Sequence, residues 1–391
     1  MTELRFLTAG ESHGKALVAI LEGMPAGLAI TEEYIERDMR RRQGGYGRSK
    51  RQQLEVDQAE LVSGVRHGLT LGSPIAMLVQ NRVWEDWQEV MQVGPYDGEP
   101  KKVTRLRPGH ADLAGTMKYG FDDVRNVLER ASARETAARV AVGAVCRRFL
   151  EEFGVDIHSH TVSIGDVNAA SNGELDWTAV EESAVRASDT QAGERMVAAI
   201  DAAREAGDTL GGVFEMVATG VPIGLGSHVM WDRKLDGRLA QAVMSIHAVK
   251  GVEIGGGFAV AAGPGSEAHD VIVPEAHWDG RPWRRASNRA GGLEGGMTNG
   301  EPVVVRGALK PISTLSNPLP SADLHTGQEI QAHYERSDIC TVPAAGVVGE
   351  AMVAIVLAGA MLEKFGGDSL AETLRAFESY QATIGPRAPR G

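Results

Sequence analysis

The chain resembles itself, and its glycines and prolines carry the likeness. GESHGKALVAILEGMPAGL at 10–28 and GDTLGGVFEMVATGVPIGL at 207–225 both read G-[DE]-x-x-G, eight residues, then G-x-P-x-G-L. GVRHGLTLGSPIAM at 64–77 and GLEGGMTNGEPVVV at 292–305 both read G-x-x-x-G-x-T-x-G-x-P. FLEEFG at 149–154 is echoed by MLEKFG at 361–366, each closing a long run rich in small residues. The pairs come in the same order. Glycine and proline restrict backbone shape, so shared spacing of them implies shared turns. We expect a single domain over 1–391 built of two similar halves, about 1–200 and 205–380. Two long copies do not make a solenoid.

Local patterns fill in this frame. ALVAILEGMP, LTLGSPIAMLVQN, GGVFEMVATGV and GEPVVVRGALKP have strand character. Thr31 to Gln43 reads as a helix, with Glu32 and Glu33 in its first turn and Arg40, Arg41 and Arg42 in its last, as the helix dipole favours. Ser132/Glu135, Thr178/Glu181 and Ser369/Glu372 have capping-box spacing, the first opening a helix to about Phe153. The apolar run Ala351 to Leu362 is too short to span a bilayer and reads as a buried helix. Strands and helices are grouped rather than alternating, which predicts an α+β fold with largely antiparallel sheets. The tail IGPRAPRG at 384–391 is expected to fray.

The net charge of −12 argues against general nucleic-acid binding. The two cysteines are far apart and suit a reducing compartment. With no secretory pattern at the start, a soluble cytoplasmic protein is expected, without membrane partners. His158 and His160 alternate on a strand-like run, but no third ligand stands at metal spacing, so no metal is expected.

Chemistry concentrates in a few places. Leu210 stands in the second copy where His13 stands in the first, so the glycine frame is duplicated and the histidine is not. That favours a functional His13. RDMRRRQGGYGRSKR at 37–51 is a basic run in an acidic chain. It reads either as a solvated helix end or as a loop folding Arg48 back toward Arg42 to clamp phosphate or carboxylate. In RLRPGHADLAG, Pro108-Gly109 makes a turn that presents His110 beside Arg107. A histidine there suits proton transfer near neutral pH. Arg125, Arg130 and Arg134 surround the helix start at Ser132, a setting for an anion. SNRAGGLEGGMTNGEP at 287–302 would let backbone N–H groups approach a flat or anionic ligand. It does not have the form of a dinucleotide-binding loop. Arg336 and Asp338 precede the small-residue helix. Together these residues point to an enzyme for a multiply anionic small molecule, its reaction still open.

The same segments resemble the chorismate synthase family. The likeness rests on GESHG (10–14), RRQGGYGR (41–48), RPGHAD (107–112), RASARETAARVAVGA (130–144), GDTLGG (207–212), HAVKGVEIGGGF (247–258), SNRAGGLEGGMTNGEP (287–302), KPISTL (310–315) and ERSD (335–338). It covers nearly the whole chain. The resemblance implies a β-α-β sandwich with an internal pseudo-twofold repeat and a homotetramer. It implies a 1,4-elimination of phosphate from 5-enolpyruvylshikimate 3-phosphate to give chorismate. No net redox change occurs, yet reduced FMN is required, the flavin lending an electron and recovering it.

By similarity His13 would protonate the departing phosphate, His110 would stabilise the anionic reduced flavin, and Asp338 would help flavin N5 take the ring proton. Ser12 and Ser132 would support these bonds. Arg42, Arg48, Arg107, Arg134 and Arg336 would hold substrate or flavin phosphate. Flavin contacts would come from Arg42, Arg48, Arg130, Ala131, Ser132, His247, Ala248, Gly295, Lys310, Pro311, Ile312, Ser313, Thr314 and Arg336. This chain departs from the family in having His247-Ala248 where Asn-Ala is usual, and DTLGG for the DSVGG type of motif. No added domain for flavin reduction is visible. Reduced FMN is therefore expected from an external flavin reductase, with NADPH near Arg42 and Arg48 as another electron source.

Overall fold

The computed structural model of the protein describes residues 3–49, 57–169, 175–278, 281–335 and 337–385. The first part of the chain forms strands β1 (Arg5–Ala9) and β2 (Ala16–Glu22), helix α1 (Glu32–Gln43), strands β3 (Ala59–Ser63) and β4 (Ile75–Gln80), helix α2 (Asp112–Tyr119) and helix α3 (Thr136–Glu151). The second forms β5 (Asp156–Ile164), α4 (Thr190–Ala206), β6 (Gly212–Thr219), α5 (Leu235–Met244), β7 (Val249–Ile254), β8 (Val303–Leu309) and α6 (Val342–Phe365), with α7 (Leu370–Gln381) last. With α2, α4 and the shorter pieces set aside, both parts run strand, strand, helix, strand, strand, helix.

The sheets repeat as well. One is ordered β1-β2-β4-β3; the other is β5-β6-β8-β7, with the short strand Val167–Asn168 beside β5. Every strand ladder among the described residues is antiparallel. β5 pairs with β6, Ile157 lying opposite Ala218. The division expected at about 200 therefore falls inside the second run, which begins near Val155. The glycine motifs start at the turn between first and second strands, so they give no sign of the first strand of either copy.

A pair of threonines shows why the motifs match. Thr70 Oγ1 accepts from the Leu28 N–H (2.9 Å) and donates to the Pro25 carbonyl (2.6 Å). Thr298 Oγ1 accepts from Leu225 N–H (2.8 Å) and donates to Pro222 (2.6 Å). Each threonine is buried and pins its G-x-P-x-G-L turn from a distant segment. Gly27 and Gly224 take φ of 89° and 87° in those turns, where a side chain would be strained.

Between the sheets lie α1, α3, α5 and α6, so the expected β-α-β sandwich is present. β2 turns Leu17, Ala19 and Leu21 inward, and α3 packs against β2 and β4. α6 packs against β5 and β6 and along α3. The two helices approach so closely that a Cβ on Gly143 would stand 2.3 Å from the Ala351 Cβ. Small residues at this crossing are what allow two helices to be buried on nearly every side. α6 is longer than its apolar run, long and apolar enough to cross a bilayer. What places it in the core is its packing, with 94% of its 18-residue apolar window buried.

Some local expectations are corrected. Ser132 caps a short 3₁₀ turn ahead of α3, accepting from the Arg134 N–H, while Glu135 turns to Thr8 and Arg139 instead of closing a box. Asp176, not Thr178, caps the helix Trp177–Glu182, and Glu181 binds Arg41 and Arg186. Thr31 caps α1, and Ser369 with Glu372 forms a true capping box. Residues 386–391 of the tail lie outside the described residues.

Thr298→Val should lower unfolding stability by about 1–3 kcal/mol in urea titration, because it strands a buried N–H and carbonyl. Thr70→Val should cost a similar amount if the two turns are equivalent.

Candidate active site

A cavity of about 510 Å³ opens where the first turns of α3 and α6 meet the end of α1 and the segment after β8. Both buried helices present their N-terminal ends there, and helix N-termini favour anions. Its wall gathers Ser12, His13, Arg42, Arg48, Arg107, His110, Ala131, Ser132, Arg134, His247, Ala248, Lys310, Ile312, Ser313, Thr314 and Asp338, from segments scattered along the chain.

His13 sits in the turn between β1 and β2 and is only 4% exposed. Its Nδ1 lies 2.9 and 3.0 Å from the Glu129 carboxylate oxygens, and its ring stacks on Trp87 with centroids 3.7 Å apart. Its Nε2 is buried and has no protein partner. The Ser132 hydroxyl donates to that of Ser12 at 3.1 Å, beside the His13 ring.

His110 stands on the turn before α2, where Gly109 has φ of 75°. Its Nδ1 faces Asp112, which also takes two bonds from the Arg107 guanidinium, at 2.8 and 3.0 Å. Burial would raise the Asp112 pKa, but the bonds from His110 and Arg107 outweigh it and hold it down at about 2. Both histidines thus have Nδ1 set against a carboxylate. An imidazole so held keeps its other nitrogen for chemistry.

The arginines are held in the same manner. Arg42 is 4% exposed; it donates to Thr136 Oγ1 at 3.0 Å and to Asp57 at 3.2 Å. Arg134 donates to the other Asp57 oxygen at 3.0 Å. Burial pulls the Arg42 pKa down to about 10, so it stays charged at neutral pH. Arg48, after the GGYG loop, lines the same cavity as Arg42 and pairs with Asp338 at 2.9 Å. Its Nε is buried without a partner. Asp338 also accepts from the Ser49 N–H at 2.6 Å. Glu335 adds a negative wall group, held at about 2 by its bond from His333.

The lining also includes the apolar residues Leu128, Ile246, Ala248, Leu309, Ile312, Ala344, Ala345 and Val348. His247 is pushed by burial down to about 4, so it is neutral at pH 7, and its Nδ1 lacks a partner. Ala248 has φ of 66°, an unusual backbone for a residue with a side chain.

Some expected residues lie elsewhere. Arg130 clips β1, donating to the Gly10 and Thr8 carbonyls, and Arg125 binds Glu129, so of the three arginines near Ser132 only Arg134 lines the cavity. Pro311 lies between lining residues without lining the cavity itself. Gly295 turns the small hairpin Leu293–Thr298 beside His228, away from the lining. No residue of the 287–302 segment, the counterpart of 64–77, lines this cavity. Arg336, Lys50 and Arg51 lie outside the described residues. Sequence reasoning missed Glu129, Asp112, Asp57 and Trp87. Only Asp112 had a local signal, two residues after His110.

Known proteins similar to this chain share one description. The chorismate synthase family profile matches residues 4–362. The chain is 59% identical over 387 residues to chorismate synthase of Moorella thermoacetica, covering 97% of this chain and 100% of that one. It is 56% identical to that of Saccharopolyspora erythraea, covering 99% of each. A solved structure described as the crystal structure of chorismate synthase superposes with a TM-score of 0.79 at 46% identity, covering 98% of each chain.

Asp112→Asn should cost about 2–4 kcal/mol at pH 7, since it leaves Arg107 buried with a weakened partner. A carboxylate with a depressed pKa stabilises the fold above its ordinary value of 3.8 and loses that effect as pH falls through about 2. The variant should therefore lose less stability than the parent over that interval, read by urea unfolding at stepped pH.

Proposed function

Since the chain belongs to the chorismate synthase family, carbon–oxygen lyases acting on a phosphate, we propose that its cavity eliminates phosphate from 5-enolpyruvylshikimate 3-phosphate to give chorismate, with reduced FMN bound. The observation that carries this reading is the pair of carboxylate-backed histidines facing one arginine-lined cavity. A substrate with one phosphate and two carboxylates needs that many cations. The apolar lining and the unpartnered polar atoms of Arg48 and His247 suit a flat, polar-edged ring such as FMN. When bound, reduced FMN supplies an electron-rich ring that assists phosphate departure without net oxidation.

The chain's own groups divide the remaining work. Arg42, Arg48, Arg107, Arg134 and Arg336 bind the anionic groups and neutralise charge as the phosphate leaves. His13 delivers a proton from Nε2 to the leaving phosphate oxygen. His110, set by Asp112, offers its free nitrogen to the flavin. Asp338, tethered by Arg48 and Ser49, assists removal of the ring proton. Ser12 and Ser132 orient these groups. Ala131, His247, Ala248, Lys310, Ile312, Ser313 and Thr314 hold the flavin, with Arg130, Pro311 and Gly295 as contacts implied by the family alone. Burial first, then repulsion from Lys250, lowers the Lys310 pKa.

Reduced FMN comes from an external flavin reductase, or from NADPH held near Arg42 and Arg48, in the cytoplasm. The assembly is a homotetramer. In support, the outer face of the β1–β4 sheet leaves Leu7 70% exposed beside its cross-strand partner Ile20.

Anaerobic assay with the enolpyruvyl substrate and reduced FMN should yield chorismate. NADPH oxidation with FMN alone and no chorismate would replace this reading with a flavin reductase. His13→Ala should lower turnover by about 10²–10⁴-fold, the usual contribution of a general acid, while flavin binding survives. Full turnover in that variant would leave His13 a packing residue.

A further inference from the structure

We propose that Glu129 is the positioning residue for His13: it fixes which ring nitrogen carries the transferable proton and sets its carboxylate against the other. This rests on the reading of His13 as proton donor.

Glu129 ends the short helical turn Arg125–Leu128, and its side chain is 1% exposed. It holds the His13 turn at several points. Its carbonyl accepts from the Ser12 N–H at 3.0 Å, and Oε2 accepts from the His13 N–H at 2.9 Å. The same carboxylate faces His13 Nδ1. An ionised carboxylate only accepts hydrogen bonds, so the neutral ring must carry its proton on Nδ1. That leaves Nε2, buried and without a protein partner, for the proton that moves. Trp87 covers one ring face with planes 21° apart and hinders rotation.

The duplicated turn provides an internal comparison. Leu210, the counterpart of His13, packs its side chain against the core, and its N–H donates to the Ile339 carbonyl at 2.9 Å. A carboxylate is present in that turn as well, Asp208 Oδ1 accepting from the Thr209 N–H at 2.7 Å, but none of the hydrogen bonds there joins a carboxylate to Leu210. The contact from a carboxylate accompanies the histidine.

The charge balance around the ring is specific. Arg125 donates to Glu129 Oε1 at 2.9 Å and so competes with the imidazolium for the same carboxylate. Glu335, paired with His333 and near Arg107, faces His13 from the segment before α6, and its ionisation feels the His13 charge. During transfer the Nε2–H bond breaks as an O–H bond forms on the leaving phosphate. The electron pair of the broken C–O bond leaves with that oxygen. The ring ends neutral with Nδ1–H still on Glu129, which takes up no proton.

The test is the pH profile of kcat for chorismate formation, with thermal unfolding and flavin binding as controls for folding. Glu129→Gln keeps the side-chain shape and removes the charge. Its alkaline limb should move to lower pH, with turnover at pH 8 at least about tenfold lower, a part of the general-acid contribution. Glu129→Asp should restore part of both. Arg125→Gln should move the limb the other way, because it removes a competing cation. Opposite shifts are not expected from loss of packing.

A second readout uses flavin-free protein with ¹⁵N-labelled histidine, the His13 signals being assigned by their loss in His13→Ala. The parent should show the Nδ1–H form and Glu129→Gln a mixture. An unmoved limb and unchanged tautomer in Glu129→Gln, with His13→Ala inactive, would overturn this proposal and spare the general-acid reading. An active His13→Ala would remove both. If Glu129→Gln does not fold, unmoved limbs in Glu129→Asp and Arg125→Gln overturn the proposal instead.

Discussion

One fully buried carboxylate joins the elements on which the site depends. Glu350 of α6 accepts from Arg41 of α1 at 2.7 and 2.9 Å, from Arg147 of α3 at 2.5 Å, from Arg186 at 3.2 Å and from Ser159 of β5 at 2.6 Å. Asp38 takes further bonds from Arg41 and Arg147, at 3.1 and 2.9 Å. Burial works against ionisation of Glu350, but the surrounding guanidinium charges hold its pKa well below the carboxylate range. Such clusters add little net stability compared with a well-packed apolar core, yet losing one member is costly. Their effect is to set geometry. With Arg41 locked into the core, the next residue, Arg42, is directed into the cavity, and Arg40 is left on the surface with Glu36.

The cavity follows the same electrostatic logic. An acidic chain keeps a cationic pocket by pairing nearly every cation with a carboxylate. Asp57 serves Arg42 and Arg134, Asp112 serves Arg107 and His110, and Asp338 serves Arg48. The acids hold long side chains in place before a ligand arrives, which lowers the cost of ordering them at binding. The open positions are the unpartnered nitrogens of His13, Arg48 and His247.

The parts of the fold legible in the sequence were those set by backbone chemistry. The matched glycines, prolines and threonines foretold equivalent turns. Thr31 and Ser369 marked real helix starts. Where a side chain had a choice of partners, the local pattern misled. Glu135 and Glu181 stood at capping-box spacing but found other partners: Glu135 pairs with Arg139 one turn on and accepts from Thr8, and Glu181 pairs with Arg41, 140 positions away. Arg125 and Arg130 looked like anion ligands but are used by Glu129 and by the β1 backbone. The boundary near Val155 was hidden because the first strand of each copy lies before its glycine motif.

The sequence by itself pointed to two similar halves with matching glycine turns, to His13 as the break in their symmetry, and to arginines suited to an anion. Those features depend on local backbone preference and on residue type. Only the tertiary structure decided which acid stands behind each base. Glu129 lies 116 positions from His13 in the chain, and Asp57 lies 77 from Arg134. No spacing rule connects residues so far apart. They meet because α1, α3 and α6 are clamped around Glu350 between two sheets, and that clamp fixes where the ends of the helices come together.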